Sequence, residues 1–179
     1  MASFITLPGI GGSGETHWQS HWEAYDPSFS RFQPTDWDRP NLADWQLAME
    51  KAIDASNEPP VLVAHSLACL LVAHTAQQIA GRVRGAVLVA VPDPSSPVFP
   101  AEATSFGNLP HCSLPFPTLI IASSNDPYAA PEHVRARSLE WGAGLVDIGA
   151  YGHINGTSKL GTWDQGRMLL DAFCAGIRV

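Results

Sequence analysis

Short apolar segments that are typical of β-strands alternate with helical patterns along the whole chain, and this alternation limits the folds available to it. The run VLVA at 61–64 is apolar at every position, as expected of a strand buried on both faces. The pattern predicts an α/β fold with a mostly parallel central sheet and helices on both faces. The carboxyl ends of the strands would share one edge, where such folds bind ligands. The predicted strands are 4–7, 30–32, 61–64, 85–91, 118–122 and 144–148, and the predicted helices are 16–25, 42–56, 67–79, 131–141 and 164–177.

The length and charge of the chain exclude several classes of protein. Its 179 residues fit one domain over 1–179. Hydrophobic residues make up 45% and charged residues 15%, a balance that excludes a disordered chain. The net charge is −7 and there is no basic run. We therefore expect neither nucleic acid nor an anionic membrane surface as the main partner.

The N-terminal residues and the cysteines predict a cytoplasmic protein. Residues 1–7 lack the basic and apolar regions of a signal peptide, and no apolar window approaches the length of a membrane helix. The three cysteines, an odd number without CxxC spacing, do not suggest a disulfide framework.

Ser66 lies where the predicted strand at 61–64 meets a predicted helix, in the sequence VLVAHSLAC. This is the context of a nucleophile elbow, a sharp turn that exposes the serine hydroxyl and aims the next amide, from Leu67, at a developing oxyanion. The general pattern GxSxG has glycines where this chain has Ala64 and Ala68. Taken alone, a serine at this position is more often a helix cap.

A serine nucleophile needs a base and an acid that orients the base, in the chain order serine, acid, histidine for this type of fold. Asp126 follows the predicted strand 118–122, and His153 follows the strand that ends near residue 148. Both would lie at the same edge of the sheet as Ser66. Two other acids compete for the role, Asp93 before Asp147, and we rank Asp126 first.

The glycine-rich segment PGIGGSG at 8–14 allows two functional interpretations. Its glycines match GxGxxG, a dinucleotide-binding pattern. The acid expected at the end of the second strand is absent from residues 30–34. The preferred interpretation is that this loop supplies the second oxyanion-hole amide, from Ile10. A plain structural turn is the third alternative.

The histidines outside this set predict no metal site. His17 and His21 are four residues apart, but Trp18 stands where the motif HExxH has its glutamate. No other histidine or cysteine spacing completes a metal site. His65 is adjacent to Ser66, and adjacent side chains at a sharp turn point apart, so we expect a structural role for it.

Four motifs together resemble a known family: PGIGGSGETHWQSHW, VAHSLAC, SSNDPY and WGAGLVDIGAYGHINGTSKLGTWDQG. They are similar to the small serine hydrolases related to retinoblastoma-binding protein nine. The resemblance implies a compact single-domain α/β-hydrolase without a large lid, and a catalytic triad at Ser66, Asp126 and His153. Ala68 departs from the glycine usual at that elbow position.

The sequence therefore predicts a serine hydrolase that cleaves a small ester, thioester or amide, with no metal or organic cofactor. A small acyl compound is the expected partner. No protein partner is indicated, and the sequence does not determine the oligomeric state. The alternative is a catalytically silent α/β-hydrolase fold that acts as a protein-interaction module.

Overall fold

Six parallel strands form one sheet in the computed structural model, which describes residues 3–177. The order across the sheet is β2-β1-β3-β4-β5-β6. The predicted α/β class and the parallel sheet are confirmed. The strands are β1 (Phe4–Leu7), β2 (Phe29–Arg31), β3 (Val61–His65), β4 (Gly85–Val89), β5 (Thr118–Ala122) and β6 (Gly144–Asp147).

Helices cover both faces of the sheet. Successive side chains of each strand point to opposite faces, so each strand contributes residues to two hydrophobic clusters. Ile5, Leu62 and Leu88 belong to the cluster that contains residues of α2, α3 and α4. Val63 and Val87 belong to the cluster that contains residues of α1 and α5. The helices are α1 (Trp18–Tyr25), α2 (Leu42–Asp54), α3 (Leu67–Thr75), α4 (Pro131–Trp141) and α5 (Asp164–Gly176).

Local signals in the sequence account for several helix ends. The Asn41 side chain accepts a hydrogen bond from the Asp44 amide and caps α2. Pro131 occupies the first turn of α4, and Gly142, with φ 67°, ends that helix in the left-handed conformation.

Several elements are shorter than the sequence predicts, and α3 and β4 are two examples. Helix α3 ends at Thr75 instead of residue 79. Beyond it the Gln78 amide bonds to the Thr75 carbonyl oxygen three residues back, and the chain continues through turns. Strand β4 ends at Val89 instead of residue 91, because Ala90 has φ 57° and leaves the extended conformation.

The segment 92–117 crosses the carboxyl edge of the sheet as an irregular connection with one 3₁₀ turn, Ala101–Phe106. Ala103 and Phe106 are fully buried in this turn. The Phe106 carbonyl oxygen also binds Nε2 of His74 on α3 at 2.9 Å. Residues 3–177 contain no inserted lid domain. None of the helices formed by these residues has the length and apolar character needed to cross a membrane.

Candidate active site

Ser66 occupies the sharp turn between β3 and α3. Its backbone has φ 55° and ψ −125°, a region that residues other than glycine seldom adopt. A hydrogen bond from the Ser66 amide to the Val89 carbonyl oxygen, 2.9 Å long, holds the turn. The hydroxyl does not cap α3. Ala64 and Ala68 are fully buried on either side, so the turn accommodates both methyl groups that the general elbow pattern avoids.

The Ser66 hydroxyl lies at one end of a line of hydrogen bonds through His153 to Asp126. Nε2 of His153 is 2.7 Å from Oγ of Ser66, and Nδ1 is 2.9 Å from each carboxylate oxygen of Asp126. A carboxylate only accepts hydrogen bonds, so Nδ1 carries the proton and Nε2 accepts from the serine hydroxyl. The side chains of His153 and Asp126 are only 10% and 3% exposed, which protects these bonds from competing water.

Among the described residues, neither of the two competing acids forms a hydrogen bond or ion pair with His153. Oδ1 of Asp93 accepts hydrogen bonds from the amide and hydroxyl of Ser95, and Oδ2 is 3.4 Å from Nδ1 of His133. Burial acts to raise the pKa of Asp93, but the Ser95 hydrogen bonds and the His133 charge lower it overall. Oδ1 of Asp147 accepts from the Gly149 amide at 2.8 Å. Both carboxylates therefore stabilise local turns.

Two polar side chains after β5 hold the loop that carries His153. Oγ of Ser123 accepts a hydrogen bond from the Tyr151 amide at 2.9 Å, and Oδ1 of Asn125 accepts one from the Gly152 amide at 2.7 Å. These bonds join the segment that carries Asp126 to the loop that carries His153. Sequence reasoning missed both residues. The sequence signal that could have found them is the residue type, because short polar side chains such as serine and asparagine after a strand often bind backbone groups.

His65 and His17 are buried beside His153. Nε2 of His65 is 2.9 Å from the His153 carbonyl oxygen, and the ring of His17 lies edge-on to that of His65, with ring centres 4.7 Å apart. Burial, followed by the effects of His17 and His153, holds the pKa of His65 well below its usual value. Burial and the nearby Arg31 charge, with smaller effects of His153 and His21, lower the pKa of His17 to about 3. Both rings are therefore neutral at physiological pH.

His17 caps α1, since its Nδ1 accepts a hydrogen bond from the Gln19 amide. It therefore precedes the helix on which His21 lies. Among residues 3–177, no group of three or more histidine, cysteine, aspartate or glutamate side chains is placed to hold a metal ion.

The glycine-rich loop passes directly against Ser66. A Cβ atom built on Gly9 would lie 2.9 Å from Cβ of Ser66, so this close approach requires glycine. Ile10 and Leu67, the two predicted amide donors, both line the cleft at Ser66. Neither amide donates a hydrogen bond to another group within the described residues. Both amides are therefore available to a bound ligand.

The cleft has a volume of about 520 Å³, which lies within the usual range for small-molecule sites. Its walls come from the glycine-rich loop, the elbow, the segment after β4 and the loop that carries His153. Besides Ser66 and His153, the lining includes Ile10, Leu67, Phe99, Glu102, Tyr128 and Thr157.

The sequence model of the family described as serine hydrolase matches residues 4–172. The chain belongs to the serine hydrolase family. This serine hydrolase is also similar to a crystal structure described as that of a YdeN-like hydrolase from Pectobacterium atrosepticum, with 30% sequence identity and a TM-score of 0.88, over 99% of this chain and 92% of that one.

More distant structures share the fold of this serine hydrolase. The ydeN gene product of B. subtilis is 17% identical, with a TM-score of 0.78 over 98% of this chain and 100% of that one. A thioesterase domain from the curacin biosynthetic pathway is 14% identical, with a TM-score of 0.68 over 94% of this chain and 91% of that one. None of the curated proteins compared with the chain matches it.

Proposed function

We propose that this serine hydrolase cleaves a small ester, thioester or amide through an acyl-enzyme, with Ser66, His153 and Asp126 as its catalytic triad. The observation that carries the proposal is the hydrogen-bonded line from Oγ of Ser66 through both ring nitrogens of His153 to Asp126, with distances of 2.7 and 2.9 Å. The motifs in the sequence further support a relation to the retinoblastoma-binding protein nine branch of the family.

In this mechanism the Ser66 oxygen attacks the substrate carbonyl carbon while Nε2 of His153 takes the hydroxyl proton. Nε2 then gives that proton to the leaving group, and the carbonyl–leaving-group bond breaks. A water molecule, deprotonated by the same nitrogen, attacks the acyl-enzyme. Nε2 then returns the proton to Oγ of Ser66 as the bond between Oγ and the acyl carbon breaks, and the acid is released. Asp126 holds the Nδ1–H tautomer and stabilises the imidazolium formed in each half-reaction.

The negative oxygen of each tetrahedral intermediate would bind the amides of Leu67 and Ile10. Removing one such donor typically costs about 3–4 kcal/mol of transition-state stabilisation. The Leu67 amide is also the first of α3, whose N-terminal dipole favours negative charge at this point. These steps need no metal or organic cofactor.

Labelling with a fluorophosphonate probe tests the nucleophile directly. We expect the intact mass to increase by one adduct and peptide mapping to place that adduct on Ser66. The variant Ser66→Ala should fold but should be neither labelled nor active on p-nitrophenyl acetate. Ser13→Ala is the matched control, because Ser13 lies in the same cleft but donates its hydroxyl hydrogen bond to Gln19. Absence of labelling in well-folded protein would contradict the proposal and favour a catalytically silent interaction module.

A further inference from the structure

The charge distribution of the cleft limits which substrates it can bind. Among the described residues that line it, Glu102 is the one aspartate, glutamate, lysine or arginine. Its histidines include His17 and His65, which stay neutral at physiological pH because burial lowers their pKa. Within residues 3–177, no arginine or lysine therefore lines the cleft to bind a carboxylate or phosphate group, and the one fixed formal charge of this lining is negative.

Buried neighbours hold the backbone at Glu102, whereas its side-chain carboxylate is exposed. Glu102 lies in the first turn of Ala101–Phe106, next to Ala103, which is fully buried with Phe106. The exposed carboxylate forms no hydrogen bond or ion pair with any residue in the described part of the chain.

Two aromatic rings line the same cleft. Phe99 and Tyr128 are both half-buried and contribute to its wall. The ring of Tyr128 packs against that of His153, with ring centres 4.5 Å apart, so this wall extends to the catalytic base. Aromatic faces attract cations, and a cleft lined by such faces and by one carboxylate is a favourable setting for an ammonium group.

We propose that the substrate carries a positively charged nitrogen, as a quaternary ammonium group, and that Glu102 selects for it with Phe99 and Tyr128. This inference rests on the proposed acyl-transfer function, because it concerns the substrate of the same site. Substrates with a carboxylate or phosphate near the scissile bond are disfavoured. The protein's net charge of −7 acts in the same direction.

Pairs of esters that differ only in charge provide the test. Acetylcholine and its carbon isostere, in which a tert-butyl group replaces the trimethylammonium group, place the charge on the leaving group. The p-nitrophenyl esters of acyl chains that end in trimethylammonium or in tert-butyl place it on the acyl side. We expect kcat/KM to favour the charged member of at least one pair by roughly 5- to 10-fold at low salt, and by less at high salt.

The variant Glu102→Gln should bring that ratio of kcat/KM values close to one. Glu50→Gln is the matched control, since Glu50 lies on α2 outside the cleft and its replacement changes the net charge equally. Ratios near one for both pairs in the unmodified protein, with Ser66-dependent turnover of the uncharged esters, would overturn the ammonium preference alone. A preference that survives Glu102→Gln would overturn the role of Glu102. Failure to hydrolyse any of these esters would overturn both this inference and the proposed function.

Discussion

His65 binds the backbone of His153 through Nε2, which is 2.9 Å from the His153 carbonyl oxygen. Because a carbonyl oxygen only accepts, Nε2 of His65 is the donor. His65 directly precedes Ser66, so this bond joins the turn that carries the proposed nucleophile to the loop that carries its base. His65 is only 4% exposed, and its lowered pKa keeps it in a single, neutral state at physiological pH.

Replacement of His65 tests whether this bond positions the base. In His65→Leu the His153 carbonyl oxygen loses its partner, and we expect kcat on p-nitrophenyl acetate to fall about tenfold with little change in KM. His65→Gln places an amide donor close to the position of Nε2 and should recover much of the lost kcat. If the Gln and Leu variants lose activity equally, or if the loss follows the melting temperature, His65 has only a packing role.

The buried histidines should make the protein less stable in mild acid. The pKa of His17 is about 3 in the folded protein, against an ordinary value of 6.5. Between these values the unfolded chain binds a proton that the folded chain does not. The free energy of unfolding therefore falls as the pH decreases from 6.5, by up to about 1.4 kcal/mol per pH unit for each such histidine. His65, whose pKa is also lowered, acts with the same sign.

Urea unfolding between about pH 5 and pH 6.5 measures this slope above the range in which carboxylates titrate. His17→Asn is the informative variant, because asparagine can still cap α1 but does not titrate. For this variant we expect a smaller slope of the free energy of unfolding against pH, with a decrease equivalent to at most one proton bound on unfolding. An unchanged slope would mean that His17 binds its proton near the ordinary pKa in the folded state.

The sequence predicts the fold well because strand burial is encoded locally. An uninterrupted apolar run such as 61–64 indicates a strand covered on both faces, and a parallel sheet then brings the carboxyl ends together. The errors lie at element ends, as at Ala90, whose φ of 57° follows from its place in a turn at the sheet edge. A sequence window contains no information on that turn.

The candidate site was predictable in part, through the positions of its residues at strand ends. The positions of Ser66, Asp126 and His153 follow from the ends of three strands, and the structure brings their side chains together. The contacts of Ser123, Asn125 and His65 with the loop at 149–155 were not predictable, because they depend on loop conformations set by the whole fold. His65 is the clearest case, since adjacency to Ser66 indicated only that its side chain points elsewhere.

Gly9 should be intolerant of any side chain. In Gly9→Ala the new Cβ would lie 2.9 Å from Cβ of Ser66 and 3.2 Å from the His65 carbonyl oxygen, so the elbow must shift. We expect ester hydrolysis to fall at least about tenfold, since small displacements of reacting groups are costly. Gly14→Ala is the control in the same loop, because its Cβ would meet no atom within 4 Å. Similar kinetics for the two variants would show that the elbow tolerates the displacement.

The choice of acid can be decided by comparing Asp126→Asn with Asp93→Asn. In Asp126→Asn the amide can present its NH2 group to Nδ1 of His153, which would then have to accept, leaving the ring proton on Nε2. A protonated Nε2 cannot take the proton of Ser66, so kcat should fall by about three to four orders of magnitude with the fold retained.

Asp93→Asn should leave kcat nearly unchanged, because the Asp93 carboxylate contacts Ser95 and His133 instead of His153. Its effect should be on stability, through weaker hydrogen bonds to Ser95 and the loss of the His133 pairing. Both kcat and the urea midpoint are therefore measured for each variant. An equal fall in kcat for the two variants would contradict the assignment of Asp126. A fall in kcat for Asp93→Asn alone would assign the role of the acid to Asp93. The contact of His153 with Asp126 would then be structural.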